Sequence, residues 1–130
     1  MSSLLYDFAS ALLLTIAIEL AVVALLGGRT ARELAAVALV NVITNPPLTL
    51  ALMVLRLFAL PAMSADAAQI VQFAFIALAE LAIVIIEWRL LTWALRADSG
   101  TWLFRSAVMN AASLVLGSWL LVVAQQALAR

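Results

Sequence analysis

Residues 17–23 (AIELAVV) and 39–44 (LVNVIT) form the first of two similar pairs of apolar segments, each segment holding one strongly polar residue. The second pair is residues 78–84 (LAELAIV) and 108–113 (VMNAAS). In each pair a glutamate precedes an asparagine, and threonine or serine follows the asparagine three residues later. This order predicts a duplicated helical hairpin, because apolar filler alone would not keep polar groups that are costly in a membrane.

The composition of the 130-residue chain indicates a membrane protein. Hydrophobic residues make up 68% of the sequence and charged residues 11%, whereas roughly half of a soluble domain is apolar. Cysteine and histidine are both absent from the sequence, which excludes thiolate and imidazole metal sites and histidine-held haem. Seven basic residues balance seven acidic ones, so we expect no nucleic-acid partner.

Four apolar segments exceed the ~20 residues that cross a bilayer about 30 Å thick. They cover residues 4–26, 33–60, 67–95 and 102–128. The expected fold is all-α, a polytopic membrane protein with one domain over residues 1–130. Its four transmembrane helices would form two parallel repeats of a helical hairpin, about residues 4–60 and 67–128. Thr30 and Glu33 have the spacing of a capping box, which predicts where the second helix begins.

The arginines predict the orientation of the helices. Five flank the first and third loops, and two lie on the opposite side: Arg29, Arg32, Arg89, Arg96 and Arg105, against Arg56 and Arg130. Because positive residues concentrate on the cytoplasmic side, we expect both loops in the cytoplasm and both termini outside, in a bacterial inner (plasma) membrane. The first segment lacks a positive flank and contains Glu19, so we expect a mature span rather than a cleaved signal.

Four tryptophans lie near the ends of the expected spans, at Trp88, Trp93, Trp102 and Trp119. An indole can keep its ring in lipid and its N–H among the headgroups. This placement predicts membrane-interface anchors.

The polar residues inside the spans are the candidate site. A rise of about 1.5 Å per residue places Glu19, Asn41, Glu80 and Asn110 between the bilayer midplane and its cytoplasmic third. No arginine lies at the level of the two glutamates, so these must be protonated, paired or bound to a cation. We therefore predict that Glu19 and Glu80 bind a proton or a metal cation such as Na+, Ca2+ or Mg2+. The expected further ligands are Asn41, Thr44, Asn45, Asn110 and Ser113.

The segment 41–47 (NVITNPP) predicts a helix break at Pro46 and Pro47. Two adjacent prolines lack the N–H groups that would bind the carbonyls of Val42 and Ile43. Free carbonyls beside amide oxygens are typical of the broken helices with which transporters bind cations.

Glu87 and Arg89 allow two interpretations. They form either a gate or access point for the ion, or a hydrated ion pair at the cytoplasmic interface.

Simpler structural roles remain open for several of these residues. Asn41 and Asn110 could supply interhelical hydrogen bonds, and Glu19 with Glu80 could be protonated acids that tie helices together. The prolines could produce a static kink. Residues 113–117 (SLVLG) have the small-x-x-x-small spacing that is typical of close helix packing.

Four segments carry a family resemblance: residues 19–27 (ELAVVALLG), 41–46 (NVITNP), 80–87 (ELAIVIIE) and 110–117 (NAASLVLG). They resemble an uncharacterised family of small four-helix bacterial membrane proteins, over most of the chain, and this resemblance implies no activity. By architecture the chain is similar to small multidrug resistance exporters, whose first-helix glutamate exchanges protons for cationic drugs. It departs from these exporters in its third-helix acids, its Asn-Pro-Pro segment and its arginine bias.

Together these features predict a membrane cation-binding channel or transporter. We expect a homo-oligomer in the lipid bilayer, because one four-helix chain has little room for a pathway of its own. Two alternatives remain: an accessory or assembly subunit that docks to a larger membrane protein through its polar faces, and a proton-coupled exporter of small organic cations. We expect no enzyme, because an acid and base pair of Glu19 and Glu80 would need a water-filled cavity and no motif supports a hydrolase.

Overall fold

The computed structural model describes the backbone of residues 2–128 and the side chains of residues 8–120, so Arg130 lies outside the described residues. It has four α-helices: α1 (Ser2–Leu25), α2 (Ala31–Val54), α3 (Ala65–Leu95) and α4 (Ser99–Leu128). A π-helical turn (Leu55–Ala59) and a 3-10 turn (Leu60–Ala62) follow α2. The all-α prediction is confirmed, and each of the four helices is long and apolar enough to cross a membrane.

The four helices form a bundle in which α1 and α3 lie diagonally opposite each other. Helix α1 packs against α2 and α4, and α3 packs against the same two helices. The α1–α2 and α3–α4 loops lie at one end of the bundle, which we call the loop end. The α2–α3 connection lies at the other end with the start of α1 and the end of α4, and we call this the terminal end.

Side chains in the two loops fix where α2 and α4 begin. The predicted capping box is confirmed, because the Thr30 Oγ1 accepts from the Glu33 N–H at 3.1 Å and the Glu33 Oε2 accepts from the Thr30 N–H at 3.1 Å. At α4, the Asp98 Oδ2 accepts from the Thr101 N–H at 2.7 Å. This backbone hydrogen bond to its ionised form lowers the pKa of Asp98 below its usual value.

Two arginines join the hairpins at the loop end. Arg105 of α4 donates to the carbonyl of Leu26 at 3.1 Å and forms an ion pair with Glu33 at 3.2 Å. Arg32 of α2 donates to the carbonyl of Ala94 at 2.8 Å. The last carbonyls of a helix have no partner within it and attract cations. The second helix of each hairpin therefore binds the end of the other hairpin's first helix.

A cluster of buried apolar side chains fills the bundle towards the loop end, and we call it the hydrophobic plug. Its members are Val23, Val37, Val40, Leu91, Trp102 and Met109. Trp102 is only 2% exposed, so the prediction that it anchors the membrane interface is wrong. Its ring fills the centre of the bundle instead, and the Arg105 guanidinium lies 4.8 Å from the ring centroid.

Gly28 lies in close contact with the end of α1, and we expect its replacement by alanine to destabilise the protein. A Cβ there would lie 2.6 Å from the Val23 Cγ1 and 3.3 Å from the Val23 carbonyl oxygen. Val23 is fully buried and β-branched, so it has little freedom to move. Gly28→Ala should lower the free energy of unfolding by about 1–3 kcal/mol, measured by thermal or denaturant unfolding in detergent.

Gly117→Ala is the matched control, because a Cβ at Gly117 would meet no atom within 4 Å. Alanine is favoured over glycine in a helix by about 0.5–1 kcal/mol. Equal stability of the two variants would contradict the close contact at Gly28.

Candidate functional site

Glu19 of α1 is fully buried and binds two other helices. Its Oε2 accepts from the Asn41 Nδ2 of α2 at 2.6 Å, and its Oε1 accepts from the Ser113 Oγ of α4 at 3.0 Å. Short hydrogen bonds to a carboxylate are among the strongest in proteins. Glu19 therefore ties its own hairpin together and joins it to the other.

Glu87 of α3 is also fully buried. Its Oε2 accepts from the Asn110 Nδ2 at 2.6 Å, and its Oε1 accepts from the Thr44 Oγ1 at 2.8 Å. Of the two interpretations of Glu87 and Arg89, the hydrated ion pair is wrong, because the Arg89 guanidinium lies 4.5 Å from the centroid of the Trp88 ring; the gate or access point stays a prediction. Glu87 is buried inside the bundle and not at its surface, and its carboxyl group accepts from an amide and a hydroxyl.

The contacts of the two buried acids follow one pattern. Each glutamate accepts from the asparagine of its own hairpin and from the hydroxyl that lies three residues after the asparagine of the other hairpin. Both asparagines also donate to the carbonyl four residues earlier, Asn41 to Val37 at 3.1 Å and Asn110 to Ser106 at 3.0 Å. We call the six residues that form this pattern the polar layer: Glu19, Asn41, Thr44, Glu87, Asn110 and Ser113.

The acid whose contacts match those of Glu19 is Glu87, although local sequence similarity pairs Glu19 with Glu80. Glu80 and Glu87 are seven residues apart, which places them on the same face of α3 about two turns from each other. Glu80 therefore lies on the face of α3 that also holds Glu87, but at a different level of the bundle.

A cavity of about 290 Å³, lined by both polar and apolar side chains, lies between the four helices, on the side of the polar layer that faces the terminal end. This is room for several water molecules. Its polar lining includes Glu19, Asn45, Arg56, Glu80, Asn110 and Ser113. The hydrophobic plug lies on the opposite side of the polar layer. The cavity is therefore one-sided, with the polar layer as its floor.

Glu80 differs from the two buried acids because, within the described side chains, no hydrogen bond or ion pair to its carboxyl group is present. It is half-buried and lines the cavity. It also borders a groove of about 330 Å³ on the outer surface between α3 and α4. Of the acids in the bundle interior, Glu80 has the carboxyl group that is free to take a new partner.

Arg56 lines the cavity, although in the sequence it indicated only the orientation of the helices. It lies in the π-helical turn, is exposed, and lines the cavity on its terminal side. In the described part of the chain the one ion pair is Arg105–Glu33, so no carboxylate there neutralises Arg56. The signal was available: Arg56 is the single charged residue between Glu33 and Asp66.

The predicted helix break at Pro46 and Pro47 is wrong, because α2 continues through both residues to Val54. Proline has a fixed φ near −65°, which suits a helix, and the pair removes only two backbone donors. Val42 and Ile43, whose carbonyls lose those donors, are 50% and 59% exposed and do not line the cavity. Their carbonyls are therefore not cavity ligands.

The other predicted ligands divide between the cavity and the polar layer. Asn45 lines the cavity and donates from Nδ2 to the Asn41 Oδ1 at 2.7 Å. Asn41 and Thr44 are buried in the polar layer and do not line the cavity. Gly117, which the small-x-x-x-small spacing places at a helix contact, instead lines the cavity, and a Cβ there would meet no atom within 4 Å.

The side-chain oxygens of the cavity suit a proton or a weakly held cation better than a tightly bound divalent metal. Each oxygen of Glu19 already accepts one hydrogen bond, which leaves that carboxylate only one lone pair per oxygen for a cation. No group of three or more acidic side chains within the described residues could hold a metal ion. Divalent cations in proteins usually take several carboxylate and carbonyl oxygens.

Comparisons with known proteins add no assignment to this geometry. No family model, no curated protein and no solved structure matches the chain.

Proposed function

We propose that this protein is a multi-pass membrane carrier that binds a proton or another cation at Glu80 and Glu19 in the one-sided cavity. The observation that carries the proposal is Glu80, a half-buried carboxyl group without a partner among the described side chains, in a cavity inside a bundle of helices apolar enough to cross a membrane. An ionised carboxylate within a bilayer costs at least about 3 kcal/mol. A bound cation or proton offsets that cost.

The arrangement of layers favours a carrier over an open channel. The floor of the cavity is closed by the polar layer, and the hydrophobic plug fills the bundle beyond it. Release of a cation at the loop end therefore requires the helices to move. The similar contacts of Glu19 and Glu87 support an internal repeat of the helical hairpin. In this carrier the two hairpins would move relative to each other.

The arginine distribution orients this carrier in a bacterial inner membrane. With the loop end in the cytoplasm, the cavity opens to the outside. The cavity lies within one chain, so the binding site itself needs no second copy. The expected homo-oligomer would add stability or coupling between copies.

Cation-dependent stability of the purified protein tests the proposal. Thermal unfolding in detergent is measured across pH and in Na+, K+, Mg2+ and Ca2+, for the parent protein, Glu80→Gln and Glu19→Gln. A ligand at about 100 times its dissociation constant should stabilise the parent protein by about 2.7 kcal/mol. We expect this stabilisation to disappear in Glu80→Gln, and flux of the same cation into liposomes to disappear with it.

Asp66→Asn is the control, because it removes an exposed acid from the first turn of the same helix. It should keep the full cation response. If no cation or proton stabilises the parent protein, and Glu80→Gln unfolds like the parent, the carrier proposal fails. The search should then move to a protein partner, in line with the accessory-subunit alternative.

A further inference from the structure

We propose that the cationic group bound at Glu80 is the primary ammonium of a zwitterionic phospholipid, which enters the cavity sideways between α1 and the end of α2. This inference rests on the proposed function, since it names the ligand of the same carboxylate. Its basis is a groove on the outer surface of the bundle that adjoins the cavity and shares lining residues with it, together with opposite charges in the two spaces.

The groove is apolar and lies on the surface formed by α1, the end of α2 and the π-helical turn. Its volume is about 410 Å³, and its own lining residues are Phe8, Thr49, Met53 and Leu57. The cavity and the groove share three further lining residues, Ala11, Leu52 and Arg56. The two spaces therefore lie side by side, with Arg56 in the lining of both. A proton or a metal ion would have no use for such an apolar approach, whereas an acyl chain would fill it.

The charges along this path match a zwitterionic headgroup. Arg56 lies at the junction without an acidic partner in the described residues, and Glu80 lies inside the cavity. The guanidinium group suits a phosphate, which it can bind through two parallel hydrogen bonds. The free carboxylate of Glu80 suits an ammonium group.

The spacing of the two charges along the bundle fits one headgroup. Thr44 and Glu87 are hydrogen-bonded and so lie at one level. From that level, helical rise places Arg56 about 18 Å and Glu80 about 10 Å towards the terminal end. The long arginine side chain can cover part of the remaining ~8 Å, and a headgroup whose phosphate and ammonium are two carbons apart can bridge the rest.

The lining also indicates which ammonium is bound. A primary ammonium has three N–H donors for the carboxylate of Glu80 and the amide oxygens nearby. A quaternary ammonium has no such donors and is usually held by aromatic rings. The residues found to line the cavity include no aromatic side chain. Phosphatidylethanolamine therefore fits the site better than phosphatidylcholine does.

Lipid binding to the delipidated, detergent-purified full chain tests the inference. Phosphatidylethanolamine, phosphatidylcholine and phosphatidylglycerol with identical acyl chains are titrated, and bound lipid is counted by native mass spectrometry. We expect phosphatidylethanolamine to bind at least about tenfold more tightly than the other two lipids. Glu80→Gln and Arg56→Gln should each weaken it about tenfold, the loss typical of one charged hydrogen bond.

Controls separate loss of the site from loss of the fold. Asp66→Asn and Arg89→Gln each remove one exposed charge away from the cavity and should leave lipid binding unchanged. Arg56→Lys keeps the positive charge but loses the paired hydrogen bonds of the guanidinium, so it should bind the lipid better than Arg56→Gln and less well than the parent protein.

Two results would overturn the lipid proposal. Equal binding of all three lipids would show only solvation of the apolar groove. Preference for phosphatidylglycerol that depends on Arg56 but not on Glu80 would indicate an anionic-lipid site. In either case, cation-dependent stabilisation that still requires Glu80 would leave the carrier proposal intact. If neither the lipid nor a cation depended on Glu80, both proposals would fail.

Discussion

Asn41→Leu and Asn110→Leu should each lower the free energy of unfolding by about 2–3 kcal/mol, and the two losses should be similar. Each asparagine donates a 2.6 Å hydrogen bond to a fully buried glutamate. Its removal leaves one oxygen of that carboxyl group without a donor. Hydrogen bonds to charged groups are worth about 1.5–3 kcal/mol, and leaving a buried group unsatisfied costs a comparable amount.

Unfolding of the purified protein by denaturant in mixed micelles provides the measurement. Asn45→Leu is the control, because the Asn45 side chain is only part-buried and donates within its own helix, to Asn41. It should cost less than either of the other two variants.

A double variant identifies the source of the loss. Glu19→Leu combined with Asn41→Leu replaces both partners by apolar groups, which should recover part of the stability that Asn41→Leu alone removes. If Asn41→Leu lowered the free energy of unfolding and Asn110→Leu did not, the similar hydrogen bonds of the two asparagines would not contribute equally to stability. Failure of the double variant to recover stability would instead indicate that leucine is too poorly accommodated at these positions.

A cysteine introduced at Ser118 should react with a membrane-impermeant thiol reagent at least about ten times faster than one at Val37, because thiol reactivity requires access of water and reagent. Ser118 lines the one-sided cavity, whereas Val37 is fully buried in the hydrophobic plug. The natural chain contains no cysteine, so each variant would carry a single thiol.

Leu78 provides the control for a lipid-facing position. It is 70% exposed on the bundle surface, yet a cysteine there should also react slowly if that surface lies in a bilayer. Reconstituted protein labelled from one side at a time provides the measurement. Fast reaction at Val37, or reaction of Ser118 only from the side of the loops, would contradict the one-sided cavity or its predicted orientation.

The helices could be predicted from the sequence, because they are determined by the length of each apolar segment and by local capping residues. The four long apolar helices and the Thr30–Glu33 capping box depend only on residues close together in the chain. The polar identity of the site could also be predicted, since Glu19, Asn110 and Ser113 do come together. These features follow from the cost of polar groups in an apolar bundle.

The partners of the individual acids could not be predicted, because they depend on how far one helix is shifted along another. Glu80 and Glu87 occupy the same face of α3, and local sequence favoured Glu80 as the match of Glu19. Packing against α2 and α4 instead brings Glu87 to Thr44 and Asn110. Similarly, a proline pair predicts a break only when the rest of the helix cannot tolerate two missing donors, and α2 tolerates them.

The contacts between the two hairpins also determine when the molecule can become stable during its synthesis. Ser113, which donates the second hydrogen bond to Glu19, lies 94 residues after it in the chain. Arg105, which donates to the carbonyl of Leu26, lies 79 residues after that residue. When the first hairpin leaves the ribosome, Glu19 therefore has only Asn41 as a hydrogen-bond partner, and the carbonyl of Leu26 at the end of α1 lacks the arginine that binds it. In the proposed membrane carrier this hairpin would lack these contacts until α4 is made, so a chain truncated before α4 should be degraded faster than the full chain.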